Sequence, residues 1–507
     1  MKSRHILSFI MVSLALVSCF EDESTLPTRK LAEITIDGSS IAKEYNIHKN
    51  DTLVIEPIVT QSNGELPLTY TWEIDQQVIS TERILHYVGT TLGAFSARLI
   101  VENEDGKAFH VFALNVNSPY EYGIMVLSED AEARPHIAFM QEPMKEGDAR
   151  AFYDENSLVR NNPEQTFASH PSDIVQTTGS LIVACQGSDS EDDGAAIYFL
   201  NEKTLVVENI VETKEYKTFK PTKLFTPGES FDGGAYPVLS ADGKMYSLPT
   251  YNAVLQPSHK LLSTYAQTGF VVDNEGSYND ILMWDTEVNG LVLIYNSYGP
   301  YYCGSKYLMQ RDSLLNDEYY VKNFSKLRGV CTLTPVLRTP AQKKVLKQEL
   351  IAIVEAPLML QKVIIATFFW EGISGSHGKY KVLDNKGFTK AASRNYSLID
   401  EHTPCVANAT YKTMMFANGS KVMRWYYNQD NHYLEDADVL LSVGSDEAVI
   451  TSLAISDDHK KTFVAFYEPS QEGKNGSVWV FDTATGTVLE RYDGVCYRPV
   501  KVMWKKR

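Results

Sequence analysis

The side chains best placed to do chemistry in this 507-residue chain are aromatic rather than catalytic. Tyr295, Tyr298, Tyr301 and Tyr302 crowd one short stretch, separated by Asn296, Ser297, Gly299 and Pro300. Gly and Pro interrupt regular structure, so the stretch reads as a loop offering flat rings and phenolic hydroxyls to a sugar or peptide. Phe368-Phe369-Trp370 and Trp425-Tyr426-Tyr427 lie in apolar runs, where aromatics usually belong to a core. Asp189-Ser190-Glu191-Asp192-Asp193-Gly194 spaces its carboxylates like the first half of a calcium loop. Leu200 stands where the closing bidentate glutamate is needed, so the segment reads as a solvated acidic hairpin tip. No cofactor is assigned, and Ca²⁺ is the alternative occupant. HExxH, GxSxG, the Walker loop and the dinucleotide fingerprint are all absent from the sequence. Paired carboxylates for glycoside hydrolysis cannot be matched from sequence, so no catalytic residue is named.

One covalent chemistry is legible, at Cys19. Lys2, Arg4 and His5 precede an apolar run from Ile6 to Leu16, the layout of a cleaved secretory signal and too short to span a bilayer. Leu16-Val17-Ser18-Cys19 resembles the bacterial lipobox, whose cysteine is diacylated and becomes the first residue of the mature chain. That assigns 1–18 to a signal peptide and 19–30 to a lipidated tether, held by acyl chains at roughly 0.8 kcal/mol per buried methylene. Glu21-Asp22-Glu23 resembles the acidic export signal of surface lipoproteins of Bacteroidota, which implies the outer membrane and the extracellular side. The same triplet also reads as a solvated linker. The other cysteines, Cys185, Cys303, Cys331, Cys405 and Cys496, are odd in number and lack metal-type spacing. One or two disulfides could form, though small buried thiols account for most of them. Sixty-four acidic against 47 basic residues give a net charge of −17, which argues against nucleic acid as a partner.

The elements that must carry these residues are all strands. From 31 to 118 short alternating runs such as Tyr70-Thr71-Trp72-Glu73-Ile74 and Ala97-Arg98-Leu99-Ile100-Val101 are punctuated by Asp37-Gly38, Pro57 and Asp105-Gly106. About seven strands in a span of that length suit a β-sandwich. The stretch 119–507 repeats a longer beat, clearest from Ile450 to Arg491: four strands joined by Ser456-Asp457-Asp458-His459-Lys460 and Thr483-Ala484-Thr485-Gly486. That is one propeller blade. Ser240-Ala241-Asp242-Gly243-Lys244 echoes the hairpin; it begins like a sialidase Asp box and lacks the later aromatic. Blade starts are expected near 171, 233, 280, 326, 402 and 447. Gly123–Leu127 and His136–Met140 begin a further blade that Arg498–Trp504 completes, closing a ring with seven blades favoured. Asp312–Arg328 reads as a short helix or long loop, and Ala341–Glu349 carries helix formers.

Tyr70, Trp72, Gly93, Phe95 and the segment Val101 to Gly106 resemble the PKD-type immunoglobulin-like domain, with Glu102 in place of its usual aspartate. The order of lipobox, acidic tether, PKD-like domain and repeated-strand body, with Glu121-Tyr122-Gly123-Ile124-Met125-Val126-Leu127-Ser128-Glu129-Asp130 after the sandwich, resembles the PKD-like family lipoproteins of Bacteroidota. The resemblance implies an all-β chain, an Ig/PKD-like β-sandwich followed by a β-propeller. It also implies an acyl-anchored outer-membrane protein associated with TonB-dependent transporter components of a nutrient-uptake system. The expected function is non-catalytic, with a glycan, peptide or partner protein bound on a propeller face through Tyr295, Tyr298, Tyr301 and Tyr302. An extracellular propeller enzyme and a structural subunit of an uptake complex stand as alternatives.

Overall fold

A computed structural model describes residues 30–142 and 153–506, apart from 178, 191, 214, 226–234, 250–253, 258–262, 273–279, 288–289, 296–304, 309–325, 333–348, 356–362, 372–380, 383–389, 394–397, 401, 409–410 and 457. Regular structure among them is strand, but for the short helix α1 (Ser157–Asn161) and a 3-10 turn at Leu434–Asp436. The chain divides into two compact units, Met1–Asn117 and Ser118–Arg507.

The first unit comprises β1 (Ile34–Ile36), β2 (Glu44–His48), β3 (Thr52–Ile55), β4 (Val59–Gln61) and β5 (Thr69–Ile74). β6 (Gln77–Ser80), β7 (Leu85–Val88), β8 (Gly93–Asn103) and β9 (Gly106–Asn117) follow. A five-stranded sheet runs β2-β9-β8-β5-β6, with β2 parallel to β9, and β1–β4 and β3–β7 form two-stranded ladders. Period-2 alternation turns Trp72, Leu99, Val101, Leu114 and Val116 inward against Leu53, Ile55 and Leu85 of the smaller ladder. Trp72 is 1% exposed, meets Phe112 edge-on at 6.3 Å, and its indole N–H donates to the Glu82 carbonyl at 2.9 Å. Glu102, the departure from the family pattern, faces outward and pairs with Lys107 at 2.8 Å.

The second unit opens with β10 (Gly123–Glu129), β11 (Pro135–Gln141) and β12 (Tyr153–Asp154). Next comes a sheet of β13 (Pro171–Gln176), β14 (Ser180–Cys185), β15 (Ala196–Asn201) and β16 (Val207–Glu212). β17 (Pro221–Leu224), β18 (Ala235–Ser240), β19 (Met245–Pro249) and β20 (Gln256–Pro257) form another. β21 (Tyr265–Val272), β22 (Asp280–Asp285), β23 (Gly290–Tyr295) and β24 (Ser305–Leu308) form the next. β25 (Lys326–Thr332), β26 (Glu349–Glu355), β27 (Val363–Glu371), β28 (Lys381–Val382) and β29 (Lys390–Ser393) make a five-stranded sheet. β30 (Cys405–Asn408), β31 (Thr413–Asn418), β32 (Lys421–Tyr426) and β33 (Asp438–Ser442) precede β34 (Val449–Ile455), β35 (Lys461–Tyr467), β36 (Gly476–Asp482) and β37 (Val488–Cys496). The last strand, β38 (Arg498–Lys505), returns to the opening sheet and pairs β10 from Gly123↔Lys505 to Glu129↔Arg498.

That pairing makes the chain's end the inner strand of its first sheet. β38 neighbours both β13 and β34; β13 neighbours β17, β21 neighbours β25, β25 neighbours β30, and β30 neighbours β34. The first strands therefore line an axis, the cores lie between adjacent sheets, and the second unit is a β-propeller. Leu181, Ile182, Val183 and Ala184 are all buried because both faces of β14 are covered, which is why such strands read as apolar runs without alternation. Closure is reinforced by the Trp504 ring stacked on Phe463 at 5.2 Å and by the Lys461–Glu142 and Lys474–Glu155 ion pairs. The Gln176 amide also exchanges two 2.8 Å hydrogen bonds with the Lys506 backbone.

Two expected sheet starts need correction. The runs near 233 and 280 are second strands, and their sheets begin at Pro221 and Tyr265. β17 has only four residues and β21 opens with Tyr265-Ala266-Gln267-Thr268-Gly269, so neither shows the apolar pattern of its neighbour. Lys326–Arg328 and Glu349, read as parts of a loop or helix, belong to β25 and β26; the remainder of those two stretches lies outside the described residues.

Candidate functional site

The axis of the propeller is built by a repeated irregularity. Register shifts at one residue or a short segment in six inner strands, at Ser172, Thr222, 266–268, Arg328, Thr451 and Val500, whereas β30 keeps a continuous register. A bulge bends its strand and re-aims the next side chain. In three of the strands the bulged residue is a hydroxyl donor to the second strand: Ser172 to Ala184 O at 3.3 Å, Thr222 to Leu239 O at 3.1 Å and Thr451 to Ala465 O at 3.4 Å. The following residue then reaches the next inner strand. Asp173 Oδ2 accepts the Leu224 N–H at 2.7 Å, and Ser452 Oγ accepts the Val502 N–H at 3.0 Å. Inner strands are not hydrogen-bonded to each other as a sheet, so these side chains satisfy backbone donors that would otherwise face the axis unpaired.

Asp173 does more than cap. Its Oδ1 accepts the Ile174 N–H at 2.9 Å and the Lys501 ammonium at 2.5 Å, so one buried carboxylate joins β38, β13 and β17. Thr222 and Gln267, 2.6 Å apart, continue the polar lining toward β21.

The described hairpins between second and third strands flank the starts of inner strands and do two tasks. Towards its own sheet such a hairpin holds the lead-in segment. Asp193 accepts the backbone and hydroxyl of Ser169 and the backbone of Ser188, Glu468 does the same for Ser445, and Glu287 accepts Thr264 N–H at 3.2 Å. Towards the next sheet it grips the following lead-in: Ala133 O accepts His170 N–H at 2.7 Å, Ser188 O accepts the Lys220 ammonium at 2.8 Å, and Gly243 O accepts Tyr265 N–H at 2.8 Å. Arg498 lies over the Tyr467 ring in the same role. Among the described residues these links join the sheets that begin at β34, β38, β13, β17 and β21 and make that part of the face a connected collar.

The opening hairpin carries the densest cluster. His136 faces Asp130 through Nε2 and Asn156 Oδ1 through Nδ1, both at 2.9 Å, with the Tyr497 ring 4.5 Å away. Glu129 holds His170 at 3.0 Å and Arg498 at 3.5 Å. Burial alone would raise the pKa of Asp130; hydrogen bonds from His136 and the Arg134 backbone, with the nearby charges, outweigh it and hold the carboxyl below its ordinary value. Asp193 shows the same balance, burial being outweighed by its bonds from Ser169 and Ser188. Depressed values are what latching carboxylates need, because only the ionised form accepts on both oxygens.

Of the residues singled out from sequence, Tyr295 ends β23 at the edge away from the hairpin collar, opposite Asp280 and Ser305. Tyr298, Tyr301 and Tyr302 lie outside the described residues, as does Cys19. In the acidic hairpin, Asp193 is turned onto Ser169 and Ser188, whereas Asp189 is fully exposed and 3.6 Å from Lys220. Among the described residues no three His, Cys, Asp or Glu side chains are grouped to hold a metal. Trp425 and Tyr427 are core, as their alternation predicts. Burial pushes the Cys496 thiol up to about 12, and Cys185 also rises, so both are inert, apolar fillers.

Sequence reading missed Asp173, Lys501, Asp130 and His136. A signal for the first two exists: Pro171-Ser172-Asp173-Ile174, Pro221-Thr222-Lys223-Leu224 and Pro499-Val500-Lys501-Val502 share a pattern of proline, bulge residue, charge and apolar residue, and all three lie within the first residues of an inner strand. No such signal marks His136.

No family model matches the chain, and no curated protein matches it. Among solved structures, a quinonprotein alcohol dehydrogenase-like protein from Bacteroides thetaiotaomicron is similar at 13% identity and a TM-score of 0.45, covering 93% of this chain and 99% of that one. The Dos1 propeller is similar at 10% identity and 0.34, covering 72% and 94%. A DUF4623 family protein from Bacteroides eggerthii is similar at 9% identity and 0.27, covering 92% and 94%. The strand pairings, not these distant likenesses, define the propeller.

Proposed function

We propose that this chain is a lipid-anchored surface protein whose propeller is a non-catalytic binding module. In this reading residues 1–18 are removed, Cys19 is acylated, and the tether to residue 30 leads into an Ig/PKD-like sandwich over 31–118. The ring over 119–507 has seven blades, one for each of the seven sheets of the second unit. The molecule faces outward from the outer membrane and works beside TonB-dependent transporter components, binding a glycan, a peptide or a partner protein on a propeller face.

One observation carries the binding reading. Glu129, Asp130, Asp193 and Glu468 on the collar and Asp173 at the axis are each engaged by donors that hold the ring together, whereas Asp189 and Glu132 stand exposed at the rim. A general acid or nucleophile must be free to exchange protons or attack, whereas a recognition surface gains from rigidity because less is lost on ordering. The test begins with Cys19→Ser, expected to move the protein from the detergent phase to the aqueous phase; unchanged partitioning refutes the anchor. The soluble variant is then incubated with outer-membrane polysaccharides and peptides of defined length. Retention without new reducing ends or amines supports the binding module, and a released product replaces it with an enzyme. Joint replacement of Tyr295, Tyr298, Tyr301 and Tyr302 by alanine is expected to weaken retention at least tenfold.

A further inference from the structure

The first unit carries a surface that a mere spacer does not need. On the outer side of its five-stranded sheet a shallow trough of about 440 Å³ is lined by Lys43, Ala94, Ser96, Val111, Ala113 and Asn115. Register explains the shape. Asn46↔Asn115↔Ala94 and Glu44↔Ala113↔Ser96 are successive cross-strand rows over β2, β9 and β8, so small side chains make a floor between taller ones. The next rows are Val111↔Arg98 and Phe109↔Ile100, and there Val111 is 63% exposed and Phe109 57% exposed. Apolar residues so open on a sheet face, beside a depression, mark an interaction site rather than a core.

We infer that this trough binds a neutral saccharide. A pyranose ring has one face of C–H groups and a rim of hydroxyls that both donate and accept, and the trough matches both halves. Val111 lines one side with an aliphatic surface, and the exposed Phe109, one cross-strand row beyond the trough, extends it with an aromatic one. On the other, Asn115 Nδ2 donates to Glu44 at 2.6 Å and to Asn46 at 3.0 Å, which fixes a planar amide and carboxylate array at the rim. That array leaves Asn115 Oδ1 and one Glu44 oxygen open as acceptors, with the Ser96 hydroxyl on the floor and the Lys43 ammonium at the edge. Lys43 and Glu44 cancel in charge, and Arg98 beside Val111 is paired with Glu73 at 2.5 Å, so nothing favours an anionic ligand. A volume near the lower end of small-ligand sites, open along one side, suits a short stretch of polysaccharide better than a protein face of about 800 Å² per partner. The site is separate from the propeller site proposed above and stands or falls on its own.

The experiment uses the soluble full-length chain, Cys19→Ser, in affinity electrophoresis through gels containing starch, xylan, mixed-linkage β-glucan, mannan or, as an anionic comparison, pectin. Retardation by at least one neutral polysaccharide is expected. It should fall at least tenfold in Phe109→Ala and in Ala113→Arg, which fills the floor, and persist when the four tyrosines of the propeller are replaced. Phe109 and Ala113 are both exposed, and an unchanged near-ultraviolet circular dichroism spectrum verifies that each variant is folded. Retardation by none of the neutral polymers, by pectin alone, or without sensitivity to Phe109→Ala and Ala113→Arg overturns the inference. So does concentration-dependent dimerisation abolished by Ala113→Arg, which would assign the face to a second copy.

Discussion

Lys505 gives the sharpest test of how the ring closes. It is the last residue of β38, 1% exposed, and its ammonium donates to the Glu121 carbonyl at 3.1 Å. Burial dominates its titration and lowers its pKa from the ordinary 10.5 to about 8; Glu202 and Glu121 pull it back up and Lys203 adds to the depression. A folded value below the unfolded one means that the folded state binds fewer protons between pH 8 and 10.5. The cost of burying the charge is therefore complete below pH 8, shrinks through that window and vanishes above it. At ~1.4 kcal/mol per pH unit the cost at pH 7 is about 3 kcal/mol. Lys505→Met keeps the chain length, removes the charge and loses the bond to Glu121 O with a long 3.5 Å contact to Lys506 O, together worth about 1 kcal/mol. The variant should thus be more stable than the parent by about 2 kcal/mol at pH 7, a difference that falls to zero and reverses by about pH 10. Urea unfolding of both proteins at pH 7, 8.5 and 10 measures it, and taking the difference cancels every other group that titrates there. A difference independent of pH, or a less stable variant at pH 7, would show that Lys505 is not buried as a charge and refute the reasoning.

Further substitutions at four positions probe the two units. Asp173→Ala should destabilise the propeller by about 2–4 kcal/mol, because Lys501 and the Leu224 N–H lose their shared acceptor, and Asp173→Asn by less; equal costs in urea melts would mean the charge is irrelevant. Gly444 has φ +53°, and a Cβ there would sit 2.2 Å from Glu468 Oε1. Gly444→Ala should therefore cost about 1–3 kcal/mol and Gly419→Ala, at φ +60° in open space, about 1 kcal/mol, by thermal unfolding; parity would argue against the Glu468 latch. Trp72→Ala should remove about 3–5 kcal/mol from the first unit, seen as an early transition in calorimetry while the propeller transition stays put.

How much of this was legible follows from what leaves a trace in local pattern. The all-β class and the closing of the ring by Arg498–Trp504 could be read because strand alternation, hairpin turns and an unpaired apolar strand at the C-terminus are local signals. The last four-strand sheet was read within a residue or two of β34, β35 and β36 and stopped short of the end of β37. Inner strands misled where they were short or polar, as at Pro221–Leu224, because the axis supplies no apolar face to alternate against. The collar was illegible for a different reason. Asp193 and Ser169, or Glu468 and Ser445, are separated by more than twenty residues, and Asp189 looks as chemical as Asp193 until the fold turns one inward and leaves the other in solvent.

The collar also constrains any account of specificity. The described hairpins at Ala133, Ser188 and Gly243 are each bonded to the following sheet, so a shift of one of these blades must strain its neighbour, and this part of the face should move as a unit or not at all. Under the proposed binding function, ligand contacts fall to exposed side chains whose loss leaves the collar bonds in place, such as Glu132 and Asp189. Substitutions at the engaged carboxylates would change stability and apparent binding together. Substitutions at the free rim would change binding alone, and that separation distinguishes recognition from scaffolding residue by residue.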